Sequence, residues 1–274
     1  MTGKFAGWLL VSDFDDTLRP EGSAGPISPT DREALERFMD GGGRFTIATG
    51  RDLCSYLSIR EFFPHNAPVI VSNGAVIADR DGTVLRESLL PESSRQMLPA
   101  VLAAFPDAGA EIHRGSRAFV VRRTAAVEEH LGRMGELIRE QPVESVPGDW
   151  NKIVLVFPGS LSGRSDLAHA AAAWINEGGF DCTAVPSGSL VDVVRAGCDK
   201  GEGVALLCRM LGVERPRLAA VGDSWNDLPL LRAAGHAFAP RGAAAEVANA
   251  PGVQILGSCG ECLRDVVEAL EKLL

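Results

Sequence analysis

The sequence has 274 residues, 46% hydrophobic and 23% charged, which is typical of a globular protein and excludes a disordered or low-complexity chain. Its 36 acidic side chains outnumber its 27 lysines and arginines, and the formal charge of −9 argues against a nucleic-acid surface, which needs a basic face. No apolar run approaches the roughly 20 residues of a membrane-spanning helix, so we expect no membrane span.

Strand and helix patterns alternate at the start of the chain, as in a mostly parallel sheet with crossover helices. Short apolar runs predict strands over residues 8–12, 45–48 and 69–71, followed by a hairpin over 75–78 and 83–85. Thr30 and Glu33 fit a capping box, which predicts a helix start at that point. The glycines at 41–43 end that helix.

The middle of the chain has adjacent strand patterns, which favour an antiparallel sheet with helices on one face. Strands are predicted near residues 110–113, 118–122, 153–157, 181–185 and 190–194, and helices near 92–104, 125–140 and 164–177. After Lys200 the first pattern returns, with helices near 201–211, 227–234 and 261–273 and strands near 218–221 and 237–239. We therefore predict an α/β fold in which an inserted α+β domain, residues 84–194, splits a Rossmann-like parallel-sheet core, residues 1–83 and 195–274.

Polar residues collect where the predicted strands end, which is where an open α/β sheet binds its ligands. Asp13 and Asp15 follow the first strand and would share one side of it if the strand continued that far. Two carboxylates so placed repel each other and need a cation or a shared proton. Thr49 follows the second strand, Lys200 precedes a core helix, and the later strand 218–221 is followed by Gly222, Asp223, Asn226 and Asp227.

Each of these residues alone has an ordinary structural explanation. Thr49 can cap a helix, Lys200 can be an exposed lysine, and Asp223 and Asp227 can be turn residues. Together they would give one pocket several acids, one lysine and two hydroxyls. That combination favours a magnesium-assisted phosphate site, because hard oxygens bind the metal while cations and hydroxyls bind phosphoryl oxygens.

Four motifs, in this order, resemble those of the haloacid dehalogenase (HAD) superfamily: Asp13-Phe-Asp-Asp-Thr17-Leu, Thr49-Gly-Arg51, Lys200-Gly and Gly222-Asp223-Ser-Trp-Asn226-Asp227. The insertion after the second motif and the Ser72-Asn73-Gly74-Ala75 stretch are similar to the Cof-type branch of phosphatases, which carries a C2 cap. The resemblance covers the whole chain and implies that the inserted domain is a cap. Asp16 stands where the family commonly has glycine.

By matched position, the resemblance implies that Asp13 is a nucleophile that forms an aspartyl-phosphate. Asp15 would be the general acid for the leaving alcohol and then the base for water. Mg²⁺ would be bound by Asp13, Asp223 and the backbone carbonyl of Asp15. The remaining implied roles are phosphate binding by Thr49, Gly50, Lys200 and Asn226, support by Thr17 and Asp227, and substrate contact by Arg51 and Asn73.

These inferences predict an enzyme, a Mg²⁺-dependent phosphoric monoester hydrolase whose partner is a small phosphorylated metabolite, with sugar phosphates as the expected class. A phosphosugar mutase of the same fold, which would retain the phosphoryl group, is one alternative. A signalling phospho-acceptor domain is another, although Asp15 argues against it because an acid/base beside the nucleophile promotes turnover. The sequence does not indicate an oligomeric state.

The six cysteines and the inserted domain are less informative. Cys259 and Cys262 have metal or redox spacing without a second pair, so we interpret them as ordinary thiols near a helix start. Free thiols without a signal sequence predict a cytoplasmic protein. In the inserted domain, an anionic substrate tail could bind to Arg114, Arg117, Arg122, Arg123 and Lys152, although we expect most of these side chains to be solvated. Trp150 and His113 are open to core, surface or sugar-stacking roles.

Overall fold

The computed structural model describes residues 3–20, 22–115, 117–132, 139–159 and 165–274. The strands are β1 (Leu9–Ser12), β2 (Arg44–Ile47), β3 (Val69–Val71), β4 (Val76–Ala78), β5 (Val84–Glu87), β6 (Gly109–Arg114), β7 (Arg117–Arg122), β8 (Lys152–Val156), β9 (Cys182–Ser187), β10 (Leu190–Arg195), β11 (Leu218–Val221), β12 (His236–Arg241) and β13 (Val253–Ser258). The α-helices are α1 (Pro29–Asp40), α2 (Leu53–Ile59), α3 (Ser93–Ala104), α4 (Ala125–Gly132), α5 (Asp166–Glu177), α6 (Lys200–Leu211), α7 (Leu228–Ala233), α8 (Ala245–Ala248) and α9 (Cys262–Glu271).

The chain divides into two compact units. The first comprises Met1–Arg51, Tyr56–Arg86 and Asp199–Leu274, and the second comprises Asp52–Ser55 and Glu87–Cys198. Among the helices of the described residues, none is long and apolar enough to cross a membrane.

A five-stranded sheet in the order β13-β12-β11-β1-β2 forms the centre of the first unit, and all its strand pairs are parallel. The inner strand β1 is buried along its whole length, as expected of a strand that has helices on both faces of its sheet. The register sets Ser12 beside both Val221 and Ile47, so β1, β11 and β2 end level with one another. The predicted α/β fold with a parallel core sheet is confirmed.

A smaller sheet of β3, β4 and β5 lies in the same unit. A parallel bridge between Ala48 and Ile70 joins the end of β2 to β3. β3 pairs antiparallel with β4, and a turn closed by the Asp79 amide on the Thr83 carbonyl (2.9 Å) leads into β5. The predicted hairpin is therefore present.

The predicted capping box at Thr30 is wrong. Helix α1 begins at Pro29, and the hydroxyl of Ser28 accepts the hydrogen bond from the Asp31 amide at 3.2 Å. Proline favours the first helical position because it has no N–H to leave unpaired, which moves the start of the helix two residues towards the N-terminus.

The sequence patterns also fail to predict α2, α8 and β13. Strand β13 lies at the edge of the parallel sheet, and none of its residues is fully buried. An edge strand of this kind lacks the continuous apolar run that identified the inner strands.

The second unit is built on an antiparallel sheet in the order β7-β6-β8-β10-β9. Helices α3 and α5 pack on one face, where their apolar side chains meet Ile153 and Leu155 of β8. Val154 and Val156 of the same strand face the other way and pack against α4. The expectation that all helices lie on one face is therefore wrong for α4, because alternate residues of β8 are apolar on both faces.

Two predicted helices of this unit extend into residues outside the described part of the chain. The helix predicted over 125–140 is described only to Gly132, residues 133–138 lie outside the description, and Glu140 forms a parallel bridge to Val120 instead of continuing a helix. The helix predicted from Arg164 is described from Asp166, and residue 164 lies outside the description.

Candidate active site

The level ends of the parallel strands bring the predicted polar residues to one edge of the sheet. Directly after β1, the amide of Asp13 donates to the Val221 carbonyl of β11 at 2.8 Å. Two residues after the end of β2, the amide of Thr49 donates to the Ile70 carbonyl of β3 at 2.9 Å. These two backbone hydrogen bonds fix the main-chain positions of Asp13 and Thr49 independently of their side chains.

Lys200 is the first residue of α6, and its side chain is buried with 1% of its surface exposed. The carboxylate of Asp199 caps this helix by accepting from the Glu202 amide at 2.8 Å. The Lys200 ammonium donates to Oδ1 of Asp13 and to Oδ1 of Asp227, both at 2.6 Å. One cation thus connects the end of β1 to the loop after β11.

Asp227 holds that loop in shape. Its Oδ2 accepts the amide hydrogens of Asp223 (3.0 Å) and Ser224 (2.9 Å), while its Oδ1 accepts from Lys200. Gly222 makes this possible, because a Cβ at position 222 would lie 2.4 Å from the Cβ of Asp227. Both oxygens of Asp227 are therefore engaged within the protein.

Asp223 is fixed by a residue from the first motif. The hydroxyl of Thr17 donates to Oδ1 of Asp223, and the Thr17 carbonyl in turn accepts from the Gly260 amide at 3.0 Å. Thr17 is completely buried, as a supporting residue would be.

The acids of this pocket outnumber its cation. Among the described residues, Asp13, Asp223 and Asp227 each offer a carboxylate oxygen within 4.8 Å of the others, against the single ammonium of Lys200. Burial, followed by the neighbouring acids, raises the pKa of Asp223 to about 7. Burial also raises the pKa of Asp13 well above its ordinary value, although Lys200 opposes that shift.

The excess of acids also changes the pKa of Lys200. Burial acts against its charged form, but Asp13 and Asp227 outweigh burial and raise the pKa of the ammonium. If all three carboxylates are ionised, they leave an excess of two negative charges beside one lysine. Hard oxygen donors with that excess fit a divalent cation such as Mg²⁺, which would lower the pKa of the acids again.

Asp15 lies outside the three-acid group and pairs with the second motif. The guanidinium of Arg51 donates from Nε to Oδ2 and from Nη2 to Oδ1 of Asp15, both at 2.7 Å. Strand β1 ends at Ser12, so a continued strand is not what places Asp13 and Asp15. Phe14 is buried between them, and the guanidinium carbon of Arg51 lies 5.3 Å from the centre of its ring. No pattern in the sequence indicates this ion pair.

A second arginine, Arg19, also lies against the ring of Phe14, and the sequence patterns did not indicate it. The guanidinium carbon of Arg19 lies 5.3 Å from the ring centre of Phe14, and its Nη1 donates to the Gly25 carbonyl. Between these residues, Asp16 has a φ of +57°, a conformation that glycine adopts easily and Asp tolerates better than most residues. This explains structurally why a glycine suits that position and why Asp16 is accepted there.

The remaining predicted residues lie around Thr49. The Thr49 hydroxyl accepts the Arg51 amide at 3.1 Å, and its carbonyl accepts the Asn73 amide at 3.0 Å, so the Thr49–Arg51 turn, including Gly50, is joined to the 72–74 turn. Asn73 has a φ of +52° and accepts from the side-chain amide of Asn226 at 3.1 Å. The structure thus brings all eleven predicted site residues into the first unit, in neighbouring loops.

Gly74, at the end of this turn, has a φ of +96°. A Cβ at that position would lie 2.0 Å from the carbonyl oxygen of Asp199. The turn therefore packs directly on the capping residue of α6 and helps to locate Lys200.

Cys259 and Cys262 do not belong to the group of acids that could bind a metal. Cys262 is buried at the start of α9, and no metal-ligand group of the described residues includes it or Cys259. Burial, together with Asp16 and Asp223, raises the pKa of Cys259 to about 12, so the group stays a thiol. The interpretation as ordinary thiols agrees with this environment.

Three candidates of the second unit have clear partners there. Trp150 belongs to the hydrophobic core, and its indole N–H donates to the Pro147 carbonyl at 2.8 Å. Lys152 is buried and paired with Asp192 at 2.9 Å. His113 is buried beside acids, as described below.

The sequence model of the haloacid dehalogenase-like hydrolases matches residues 10–255. A phosphoglycolate phosphatase from Methanopyrus kandleri is 26% identical over 266 residues, which cover 97% of both chains. An HMP-PP phosphatase from Klebsiella pneumoniae is 26% identical over 92% of this chain and 90% of its own. Among solved structures, the HAD subclass IIB sugar phosphatase BT4131 superposes with a TM-score of 0.78 over 97% of this chain and 98% of its own, and at 19% identity that likeness concerns the fold.

The family match and the phosphatases among the relatives agree with this parallel α/β core and its edge of acids and one buried lysine, and the chain is an enzyme, a phosphoric monoester hydrolase. It belongs to the haloacid dehalogenase-like hydrolase family, whose sequence model matches most of its length.

Proposed function

We propose that the chain is a Mg²⁺-dependent phosphatase that hydrolyses a small phosphorylated metabolite, with a sugar phosphate as the favoured class, through an aspartyl-phosphate on Asp13. The observation that carries this proposal is the buried contact of Lys200 with both Asp13 and Asp227 beside Asp223. The phosphatases among the relatives support a small phosphorylated substrate.

The first chemical step follows from the way Asp13 is held. Lys200 fixes Oδ1 of Asp13, which orients the whole carboxylate and stabilises its charge. An oxygen of Asp13 attacks phosphorus while the bond from phosphorus to the leaving oxygen breaks, and Asp15 gives that oxygen its proton. A bound Mg²⁺ would neutralise charge on the phosphoryl oxygens and on Asp13.

The second step reverses the role of Asp15. As a carboxylate, it takes a proton from water while the water oxygen attacks phosphorus and the acyl-phosphate bond breaks, which restores Asp13 and releases inorganic phosphate. Thr49, the Gly50 backbone, Lys200 and Asn226 are our proposed contacts for the phosphoryl oxygens. Asp223 and Asp13 are our proposed metal-binding side chains, because both oxygens of Asp227 are already engaged.

We also keep two wider proposals. The second unit acts as a cap that selects the leaving group, with domain limits near residues 84 and 194. The six free thiols support a reducing compartment and hence a cytoplasmic enzyme.

A screen of phosphate esters with Mg²⁺, read as released inorganic phosphate, tests the proposal. We expect sugar phosphates to give the highest kcat/KM. Product analysis by NMR separates the phosphatase from a mutase, since a mutase would give an isomerised phosphate ester in place of free phosphate. A phosphorylated protein that persists for hours after the substrate is removed would instead support a phospho-acceptor domain.

A further inference from the structure

A cluster of buried ionisable side chains occupies one face of the sheet in the second unit. Along β6, Ala110 and Ile112 point into the apolar core shared with α3 and α5, so Glu111 and His113 point to the opposite face. Both are buried, as is Asp52, which lies immediately before α2 and belongs to the same unit. Nothing in the chemistry proposed above uses these groups.

His113 is held between two carboxylates. Its Nδ1 forms an ion pair with Oδ2 of Asp52 at 2.8 Å, and its Nε2 makes a hydrogen bond with Oε2 of Glu111 at 3.1 Å. Burial would lower the pKa of this imidazole, but the two carboxylates outweigh burial and raise it to about 9. At neutral pH His113 is therefore a cation.

The other charged groups around this pair are accounted for within the unit. Lys152 of β8 lies beside His113 in the sheet register and pairs with Asp192 of β10 at 2.9 Å. His130 of α4 lies 3.9 Å from the second oxygen of Glu111, and burial lowers its pKa. His113 thus directly faces Asp52, and Lys152 also favours the charged form of that carboxylate.

Asp52 uses its two oxygens in different directions. Oδ1 accepts the Ser55 amide at 2.7 Å and so caps the first turn of α2, while Oδ2 faces His113. Burial would raise the pKa of Asp52, but His113, Lys152 and the Ser55 amide hold it well below its usual range. A single carboxylate therefore ties the start of α2 to the sheet of the second unit.

The residue before Asp52 is Arg51, whose guanidinium holds both oxygens of Asp15 at 2.7 Å. One peptide bond separates an anchored residue from the arginine that orients the proposed acid/base. Asp52 and Arg51 share one planar peptide unit, so a displacement of the Asp52 backbone also shifts the adjoining backbone of Arg51.

We propose that His113 is a positioning residue for catalysis: by holding Asp52 it fixes the start of α2 and Arg51, so that Arg51 keeps the carboxylate of Asp15 in its working position. The inference rests on the proposed function for its effect on turnover. The holding of α2 by His113 is independent of that function.

The test compares His113→Gln, Asp52→Asn and the double variant with the wild type. We expect kcat to fall roughly ten- to a hundredfold in each single variant, the range for a misplaced catalytic group, with KM changed less than about threefold. The double variant should lose no more than the worse single variant, since both changes break one contact. Ile175→Ala removes buried volume from α5 in the same unit and is the control, with a lower Tm but an unchanged kcat.

The pH profile separates positioning from stability. In the wild type, kcat should decline as pH rises through about 9, where His113 loses its proton. Glu111→Gln removes one carboxylate that raises this pKa, so the decline should move to lower pH. A variant that is less stable but still holds Arg51 in position would show the same decline of kcat at high pH as the wild type.

Hydrogen exchange of the intact protein at pH 7 tests the contact between His113 and Asp52 in the absence of substrate. We expect faster exchange at the Ser55 amide in His113→Gln and Asp52→Asn, and no change there in Ile175→Ala. Unchanged exchange at Ser55 overturns the inference whether or not the protein is active.

The kinetic outcomes distinguish the inference from the proposed function. If the wild type hydrolyses phosphate esters and His113→Gln keeps its kcat and its decline at high pH, the positioning role is overturned and the proposed function stands. Wild-type protein that hydrolyses no phosphate ester overturns the proposed function instead.

Discussion

At the scale of single residues, the hydrogen bonds of Asp227 distinguish it from the two neighbouring acids, Asp13 and Asp223. Asp227 accepts three hydrogen bonds, one from Lys200 and two from backbone amides. A carboxylate so engaged has little capacity left for a metal or a substrate. Asp13 and Asp223 therefore carry the proposed chemistry, and Asp227 maintains the loop that presents Asp223.

The Asp13→Asn variant tests the nucleophile. Asparagine has the same shape, but it is a poor nucleophile and a weaker metal ligand, so we expect at least about a hundredfold loss of kcat. The Tm should stay near the wild-type value, because the buried carboxylate has a raised pKa and its removal relieves crowding. The measurements are phosphate release and thermal unfolding.

Asp16→Asn is the matched control for that variant. Asp16 is an exposed acid in the same loop, and asparagine also tolerates its φ of +57°. Its kcat should stay within a few-fold of the wild type. Near wild-type turnover in Asp13→Asn would exclude covalent catalysis at Asp13.

The Asp15→Asn variant separates the two chemical steps. An activated ester such as p-nitrophenyl phosphate needs little help from an acid, but hydrolysis of the aspartyl-phosphate still needs the base. We therefore expect a phosphorylated protein to accumulate, detected by intact-protein mass spectrometry with the phosphopeptide mapped to Asp13. Wild-type turnover without an adduct would remove Asp15 from the acid/base role.

At the scale of elements, the 72–74 turn and the start of α6 form one packed joint. Gly74→Ala would place a methyl group against the Asp199 carbonyl, where 2.0 Å is available, in addition to straining a φ of +96°. We expect a loss of unfolding free energy of about 1–2 kcal/mol from the backbone and roughly 1–3 kcal/mol more from the clash. Because α6 must shift to relieve it, Lys200 should move and kcat should fall.

Gly212→Ala separates strain from packing. Gly212 ends the same helix at a φ of +66°, and a Cβ there would have no atom within 4 Å. This variant should show the backbone cost of about 1–2 kcal/mol with an unchanged kcat. Equal losses of stability and activity in the two variants, measured by denaturant unfolding and phosphate release, would contradict the proposed joint.

At the scale of the whole molecule, the excess of acids at the sheet edge leads us to expect that both stability and activity depend on a divalent cation. EDTA should abolish turnover, and Mg²⁺ should restore it. Ca²⁺ should bind without restoring it, since its looser coordination misplaces Asp13. Mg²⁺ at about 100 times its Kd should also stabilise the fold by about 2.7 kcal/mol, seen as a higher Tm.

Asp223→Asn is the control for metal binding. It removes one proposed metal-binding carboxylate, so Mg²⁺ should raise the Tm much less than in the wild type. Full activity of the wild type in excess chelator would exclude the proposed metal role, and a requirement for zinc would direct attention back to Cys259 and Cys262.

The sequence alone predicted the parallel core and brought the eleven proposed site residues to its edge, for two physical reasons. Buried parallel strands such as β1 and β11 are short continuous apolar runs, which are visible in the sequence without any partner. The chemistry-bearing residues follow those strands directly, and the carboxyl ends of parallel strands share one edge, so adjacency in sequence already predicted adjacency in space.

Only the tertiary structure decided contacts that depend on distant segments. Strand β13 is an exposed edge, so its position depends on pairing with β12 and not on its own hydrophobicity. The pairing of Arg51 with Asp15, and of His113 with Asp52, joins residues that are 36 and 61 positions apart. Long-range ion pairs leave no local pattern, because charge is placed by the fold of the backbone and not by the period of a helix or strand.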